Sequence, residues 1–338
     1  MKILVTGGLG YIGSHVVVEL INEGFEVVII DNLSNSSDNV LDGIEAITNV
    51  RPTFEKLDLR EKVTVDKFFK KHPDVSGVIH FAASKAVGES VEKPLLYYEN
   101  NINTLVYLLQ QLREKNNAQF IFSSSCTVYG QADELPITES APIKPAESPY
   151  GNTKQIGEEI IKDTCKVSPN VKAIALRYFN PIGAHKSAKI GELPLGIPQN
   201  LVPFITQTAI GLREQLSVFG DDYPTEDGTC VRDYIHVVDL AKAHVAALQR
   251  LIKANNKNNF EVFNIGTGTG SSVLEVIKAF EKVSEQKLNY KIVGRREGDV
   301  IAAYAETTKA NEVLGWKSIY NIEDALLSAW KWEQEIRK

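Results

Sequence analysis

Apolar positions along this chain follow two alternating rhythms. Unbroken runs such as Ile3-Leu4-Val5 and Val27-Val28-Ile29-Ile30 have the length and branching of strands buried on both faces. Between them, apolar residues return every three or four positions, as at Ile12, Val16, Val17, Leu20 and Ile21, which is the pattern of a helix with one buried side. The runs predict strands at Lys2–Thr6, Phe25–Ile30, Thr53–Leu57, Gly77–Phe81, Gln119–Ser123 and Lys172–Arg177. The helical spacing predicts helices over Glu61–Lys71, Pro94–Lys115 and Pro149–Lys166, beside the one carrying Ile12. Strands alternating with helices imply an α/β fold, a parallel sheet with helices on both faces. After Arg177 the rhythm breaks, and residues 180–232 are rich in Pro, Gly and Asn. A helical pattern over Asp239–Ile252 and a strand-like Phe260–Ile265 then return, so the main sheet is expected to be re-entered. The expected division is a first domain over 1–179, re-entered at 234–265, and a smaller discontinuous lobe over 180–233 and 266–338. The apolar stripe on Ile102–Leu112 is broader than one buried face needs, which fits a core helix or one that also packs on a second subunit.

The first strand runs directly into Gly7-Gly8-Leu9-Gly10-Tyr11-Ile12-Gly13, and the second ends at Asp31. Strand, glycine turn, helix, strand and acid together form a dinucleotide-binding unit of the Rossmann type, within a doubly wound sheet. Gly7 permits the tight turn, Gly10 lets the backbone approach a pyrophosphate, and Gly13 lets the helix lie close to the strand. Free N–H groups at the helix start attract the phosphates. Asp31 is placed to accept hydrogen bonds from a ribose diol and would repel a 2′-phosphate. No Arg or Lys occupies the next several positions, which selects NAD over NADP. The spacing is Gly-x-x-Gly-x-x-Gly, so the motif draws its weight from the strand, helix and acid around it.

Ligands of such sheets bind at the carboxyl ends of the strands. Asp58-Leu59, Phe81-Ala82-Ala83-Ser84-Lys85 and Ser123-Ser124-Ser125 fall there. Small side chains at Ala82 and Ala83 leave room for a cofactor against the backbone. Lys85 either faces a phosphate or is an ordinary solvated lysine. Asn100 and Asn101 are expected to open or interrupt the following helix, one of them contacting the cofactor or capping the helix.

The segment Ser148-Pro149-Tyr150-Gly151-Asn152-Thr153-Lys154 carries the candidate chemistry. Ser148 suits an N-cap and Pro149 the first helical position. Tyr150 and Lys154 then share one helix face, about one turn apart. A phenol beside a cation at a positive helix end is expected to ionise more readily than a free tyrosine, which titrates near ~10. That is how a tyrosine becomes the proton acceptor in alcohol oxidation. By itself Tyr-x-x-x-Lys occurs by chance, and its weight rests on the nucleotide-binding unit ahead of it.

Composition narrows the alternatives. The chain has 338 residues, enough for a main domain and a smaller lobe, and a net charge of −6 that argues against a general nucleic-acid or membrane surface. The three cysteines, Cys126, Cys165 and Cys230, are far apart and form no Cys-x-x-Cys, and the six histidines show no ligand spacing. No disulfide framework and no metal are expected. His80, His185 and His236 are expected to be structural. The first strand begins at residue 2 and no apolar run reaches membrane-spanning length, so no signal peptide is expected and the cytoplasm is the expected compartment.

Several motifs stand in order: Thr6-Gly7-Gly8-x-Gly10-Tyr11-Ile12-Gly13, Asp31-Asn32-Leu33-Ser34-Asn35, Lys85-Ala86-Val87-Gly88-Glu89-Ser90, Ser123-Ser124-Ser125, Tyr150-x-x-x-Lys154, Arg177-Tyr178-Phe179-Asn180-Pro181, Tyr223-Pro224-Thr225-Glu226-Asp227-Gly228-Thr229 and Arg295-Arg296-Glu297-Gly298-Asp299. Over nearly its whole length the chain resembles the UDP-glucose 4-epimerase family, a branch of the extended short-chain dehydrogenases/reductases. The resemblance implies a tightly held NAD that is oxidant and then reductant within one turnover. Its NAD contacts carry over onto Gly7, Gly10, Tyr11, Ile12, Gly13, Asp31, Asn32, Leu33, Ser34, Asn35, Ser36, Asp58, Leu59, Phe81, Ala82, Ala83, Ser84, Lys85, Asn100, Ser125, Tyr150, Lys154 and Phe179. Tyr150 would take the proton of the sugar 4-hydroxyl, Ser125 would hydrogen-bond the same oxygen, and Lys154 would hold the nicotinamide ribose. The 4-keto sugar would then turn about its bond to the diphosphate and be reduced on its other face. The UDP anchor carries over onto Asn180, Asn200, Leu201, Phe219, Arg232, Arg296 and Asp299. Arginines suit a diphosphate through their bidentate fork, although a surface ion pair with Asp233 would equally explain Arg232. The family usually forms homodimers through helices like 94–115 and 149–166.

Ala303 stands where some members carry a bulky tyrosine, which leaves room at C2 of the hexose and implies turnover of UDP-GalNAc and UDP-GlcNAc as well, unless Tyr304 swings in. A nucleotide-sugar 4,6-dehydratase is the nearest rival. Such enzymes place Asp-Glu after the catalytic hydroxyl residue, where this chain has Cys126-Thr127, a pair poorly suited to acid/base work. A decarboxylase would also want a carboxylate at Thr127. A non-catalytic NAD sensor would have no need of Ser125, Tyr150 and Lys154 in register.

Overall fold

The computed structural model describes residues 1–296 and 299–338. Glu297 and Gly298, within the Arg295–Asp299 motif, lie outside the described residues. In chain order the strands are β1 (Lys2–Thr6), β2 (Glu26–Asp31), β3 (Thr53–Lys56), β4 (Val75–His80), β5 (Ala118–Ser125), β6 (Val171–Tyr178), β7 (Asn180–Ile182), β8 (Leu216–Phe219), β9 (Val231–His236), β10 (Phe260–Ile265), β11 (Gly270–Ser272), β12 (Tyr290–Val293) and β13 (Ala302–Ala303). The helices are α1 (Tyr11–Asn22), α2 (Val40–Thr48), α3 (Lys62–Lys71), α4 (Val87–Glu92), α5 (Pro94–Arg113), α6 (Pro149–Val167), α7 (Leu201–Ala209), α8 (Val237–Ile252), α9 (Val273–Ser284) and α10 (Ile322–Glu335).

Seven strands form one parallel sheet in the order β10-β6-β5-β4-β1-β2-β3. The chain winds outward from β1 to β3, then restarts at β4 on the other side. The resulting switch point between β1 and β4 opens a crevice at the strands' carboxyl ends. Successive side chains of a strand point to opposite faces. In β1, Ile3 and Val5 join a core with Val16 and Leu20 of α1, Ile44 of α2 and Leu248 of α8. Leu4 joins a second core with Phe68 of α3, Leu108 of α5 and Ile161 of α6. These two cores make the doubly wound α/β sandwich that the apolar runs predict.

The sheet is re-entered: β10 pairs with β6 from Phe260↔Ala173 to Ile265↔Tyr178. A third core gathers Val202 and Ile205 of α7, Val218 of β8, Phe280 of α9 and Leu326 and Trp330 of α10. The rings of Phe280 and Trp330 meet edge to face at 5.7 Å. Here β9 is flanked by β11 and β13, with β7 also paired to it, and β8 pairs with β12. Capping boxes start α9 (Ser272 with Glu275) and α10 (Asn321 with Asp324). No helix among the described residues is long and apolar enough to cross a membrane.

The differences from the sequence reading are local. Helices α2 and α7 and strand β9 fall where no clear period was read. Strand β9 carries Arg232 and the buried Asp233, whose partners are distant in sequence. Asn100 and Asn101 neither open nor interrupt a helix: both lie inside α5, which starts at Pro94. Cys126, Cys165 and Cys230 are free thiols.

Gly157 sets the distance between α6 and the sheet. A Cβ there would lie 2.7 Å from the Phe122 ring of β5 and 3.4 Å from Leu105 of α5. Gly157→Leu should therefore lower unfolding stability by about 1–3 kcal/mol through overpacking, read as a reduced urea midpoint with an unchanged m-value.

Candidate active site

The glycine turn between β1 and α1 has no room for side chains. Gly7 sits at φ +67°, and a Cβ on it would lie 2.9 Å from the Ala82 backbone nitrogen. A Cβ on Gly13 would collide with the Gly7 carbonyl. The first turn of α1 has no side-chain cap and no acidic residue. Its N–H groups are thus left for an anion. Asp31 lies beside this turn and already accepts three hydrogen bonds, from Leu9 N at 3.2 Å, Leu33 N at 2.9 Å and the Ser36 hydroxyl at 2.8 Å. It braces both the turn and the loop through Asn35, in which Leu33 takes φ 61° and Ser34 N bonds the Asn32 side chain at 3.0 Å. This tight cradle fits a dinucleotide.

The other loops at the carboxyl ends close around it. Asp58 is committed to the Arg60 guanidinium at 2.7 Å and to Asn32 at 3.3 Å, and Arg60 holds its carboxyl below the usual range. Leu59 is buried under the sheet. Phe81 N and Ala82 N donate to Thr6, at 3.0 Å to the carbonyl and 3.3 Å to the hydroxyl. Asn100 donates to the Ser84 hydroxyl at 2.9 Å. Asn101 makes the deeper link, accepting from Ser84 N at 2.8 Å and donating to Thr153 of α6 at 3.1 Å. Lys85 is half exposed, 3.9 Å from Glu192.

Ser125 ends β5, and Tyr150 is the second residue of α6, whose N-cap Ser148 accepts from Gly151 N at 3.2 Å. Lys154 follows one turn later and donates to the Ser123 carbonyl at 2.6 Å. Its ammonium lies 5.7 Å from the centre of the Tyr150 ring and 5.0 Å from that of Phe122. The expectation that the helix end and Lys154 make Tyr150 readily ionised is reversed in the protein alone. Burial pushes the Tyr150 phenol well up, neighbouring Tyr178 and Cys126 add to this, and hydrogen bonding with Ser125 only partly opposes it. Burial also takes Lys154 down to about 8, against the pull of Glu158.

Behind these residues lies a buried network that no period or motif arithmetic identified. Ser124 Oγ donates to Glu158 at 2.5 Å, Glu158 takes the Arg177 guanidinium at 2.5–3.2 Å, and Arg177 reaches the Tyr129 hydroxyl at 3.0 Å. Tyr129 in turn donates to Asn264 at 2.6 Å. Ser124 and Arg177 stand in sequence motifs, and Glu158 lies four residues beyond Lys154 on the same helix face. Thr127 was likewise missed as a site residue: its hydroxyl is buried and has no partner among the described residues. His80 bonds Thr6 at 2.7 Å and His236 caps α8; burial lowers them to about 3 and about 4, so both are neutral structural groups, and His185 bonds Ser187.

On the facing side, Asp299 gathers two arginines, Arg296 bidentately at 2.7 and 3.1 Å and Arg232 at 3.6 Å. The Arg296 guanidinium lies 5.7 Å over the Phe219 ring. The Arg232–Asp233 ion pair does not form, because Asp233 is buried and accepts from Thr267 N, Gly268 N and Ala305 N instead. Asn200 precedes Leu201 at the start of α7 and donates to Glu192 at 2.6 Å. Phe179 is buried and Asn180 begins β7. Ala303 packs with Val128, Tyr129, Ile137 and Phe179. Tyr304 points the other way, 3.0 Å from where a Cβ on Gly270 would be, so it does not fill the space beside Ala303. Cys126 joins the two sides, since its thiol senses both Ser125 and Arg232.

Comparison with known proteins agrees with this geometry. A family model described as GDP-mannose 4,6 dehydratase matches residues 4–328. The UDP-glucose 4-epimerase of Bacillus subtilis is 49% identical over 333 residues, 98% of this chain and 97% of that protein. The chain belongs to the UDP-glucose 4-epimerase family. Two solved epimerases share this family member's fold. That of Stenotrophomonas maltophila, with bound NAD and formylated UDP-arabinopyranose, has a TM-score of 0.95 at 44% identity and covers 100% of this chain and 99% of its own. That of Bifidobacterium longum, in complex with NAD+ and UDP, has a TM-score of 0.94 at 45% identity, with 99% and 98% covered. The full-length relatives support the epimerase reading over the dehydratase and the sensor.

The displaced lysine has a measurable consequence. Between about 8 and 10.5 the unfolded chain keeps the Lys154 proton while the folded chain has released it. Stability contributed by this site therefore rises with pH across that window. The urea midpoint of the wild type, relative to Lys154→Met, should increase from pH 8 to pH 10 in protein stripped of nucleotide.

Proposed function

We propose that this chain interconverts UDP-galactose and UDP-glucose at C4 of the hexose, with a resident NAD. The observation that carries the reading is the meeting of Ser125, Tyr150 and Lys154 at the switch-point crevice, between a glycine cradle and an arginine pair. When bound, NAD would supply a hydride acceptor that later acts as the donor, together with a positive charge that lowers the Tyr150 phenol. Residues 1–179 with 234–265 would hold it, through the N–H groups after Gly10, the Asp31 carboxylate and the Lys85 and Lys154 ammonium groups. Residues 180–233 and 266–338 would hold the UDP-sugar.

Tyr150 would accept the proton of the sugar 4-hydroxyl and return it after inversion. Ser125 would hydrogen-bond the same oxygen. Arg232 and Arg296 would grip the diphosphate, and the Asp299 carboxylate that holds them would accept from the ribose. Firm hold on UDP and loose hold on the hexose keep the 4-keto sugar in place while it turns. The small side chain at Ala303, with Tyr304 turned toward Gly270, supports turnover of the N-acetylhexosamine pair as well. A homodimer through α5 and α6 belongs to this reading, on the breadth of the apolar stripe along α5. So does a cytoplasmic setting, where free thiols persist.

Purified protein given UDP-galactose and no added NAD should form UDP-glucose; a keto-deoxy sugar, or no product, would refute the assignment. Tyr150→Phe should lower kcat by about 10²–10⁴-fold while leaving bound NAD unchanged, measured by turnover and by cofactor extraction. Ala303→Tyr should suppress the UDP-GalNAc reaction and spare the UDP-galactose reaction. Equal loss of both rates would argue that the space beside Ala303 does not set specificity.

A further inference from the structure

The motif from Tyr223 to Thr229 plays no part in the chemistry above, yet it is tied into the arginine side of the site. We infer that Arg295, with Asp222 and Tyr223, forms a clasp that positions Arg296 and Phe219 for a nucleoside diphosphate without itself touching the ligand. The inference rests on the reading of Arg296 and Phe219 as UDP contacts.

Strands β8 and β12 pair in parallel up to Phe219↔Val293, and Gly220 N donates to the Val293 carbonyl at 2.9 Å. Beyond that bond the two segments leave the ladder together. Arg295 rejoins them: its Nε donates to the Asp222 carboxylate at 2.7 Å, its Nη2 to the Asp222 carbonyl at 2.6 Å, and its guanidinium stacks 4.2 Å from the centre of the Tyr223 ring. A planar fork that stacks and bonds twice is ordered more firmly than a simple surface pair. Gly220 sits at φ +81°, and a Cβ on it would lie 2.6 Å from the Tyr223 ring and 3.0 Å from Arg295 Cγ. The clasp closes only because that position is glycine.

The far end of the loop is fixed as well. Asp227 accepts from Thr229 N at 2.9 Å and from the Ser272 hydroxyl, and Ser272 caps α9. Tyr223 N donates to the Gly228 carbonyl at 2.9 Å. Residues 220–229 thus form a strap anchored at both ends, against which Arg295 holds its segment. Arg296, the next residue, faces the other way, onto Phe219 and Asp299. Releasing Arg295 leaves Arg296 with Asp299 and the Phe219 ring, among the described residues, to orient it. Random orientation of a diphosphate ligand group weakens binding of ground state and transition state alike, so KM should rise while kcat stays.

Arg295→Met and Asp222→Asn test the clasp in NAD-loaded protein. Titration calorimetry gives the Kd for UDP, UDP-galactose turnover gives KM and kcat, and extraction gives bound NAD. Arg295→Met should raise Kd and KM about tenfold, Asp222→Asn should raise both by a smaller factor, and kcat and NAD content should stay within about twofold. Arg295→Lys, which keeps the charge but not the fork, should fall between Met and wild type. Unchanged Kd in both variants overturns the inference. So does a tenfold rise in Arg295→Met with none in Asp222→Asn, because Arg295 would then be a direct ligand contact. Parallel loss of kcat and NAD would mean a general structural role and overturn it too. A wild type that binds no UDP refutes the underlying reading, and this inference falls with it.

Discussion

The seating of α6 on the end of β5 is the constraint from which the rest of the site follows. The Lys154 ammonium is bonded to the Ser123 carbonyl, and the Glu158 carboxylate, one turn further along, takes the hydroxyl of Ser124. The helix therefore grips two successive residues of the strand just before Ser125. Both gripping groups are buried. Burying charges is costly unless each is paired and its hydrogen bonds are satisfied. Arg177 from β6 meets Glu158 with a bidentate fork and passes the network to Tyr129 and Asn264. A small residue is needed where helix and strand approach most closely, and Gly157 supplies it. The outcome is that Tyr150 and Ser125 come together from different elements.

The electrostatics of this crevice are arranged for ligands rather than for the protein alone. Desolvation raises Tyr150 and lowers Lys154, so the neutral form of each is favoured. The Tyr150 phenol is part-buried, and in the protein alone its raised proton affinity keeps it protonated. The acids show a related economy. Asp31 braces the glycine turn through Leu9 N and the loop after β2 through Leu33 N, and Asp299 holds Arg232 and Arg296 together. Each keeps polar groups satisfied in the protein and leaves acceptor capacity for a ribose.

The smaller lobe is organised differently from the sheet. Its strands are short, and β9 is paired on both sides by segments drawn from distant parts of the chain. Asp233 at its centre takes N–H groups from Thr267, Gly268 and Ala305, which ties two distant segments to one buried carboxylate. Arg232, the neighbouring residue on the strand, points to the opposite side, toward Asp299.

The chain's local chemistry alone determined the main sheet, because strands buried on both faces read as continuous apolar runs and their helices as one-sided stripes. It also determined the glycine cradle, the terminal acid at Asp31 and the helical spacing of Tyr150 and Lys154, since each depends on neighbours within a few residues. Tertiary structure decided what depends on contacts between distant segments. It put Asn101 rather than Asn100 on the link to α6, gave Arg232 to Asp299 instead of Asp233, and turned Tyr304 away from Ala303. It also reversed the expected ionisation of Tyr150, because the cost of desolvation is set by everything packed around a group and leaves no trace in the residues beside it.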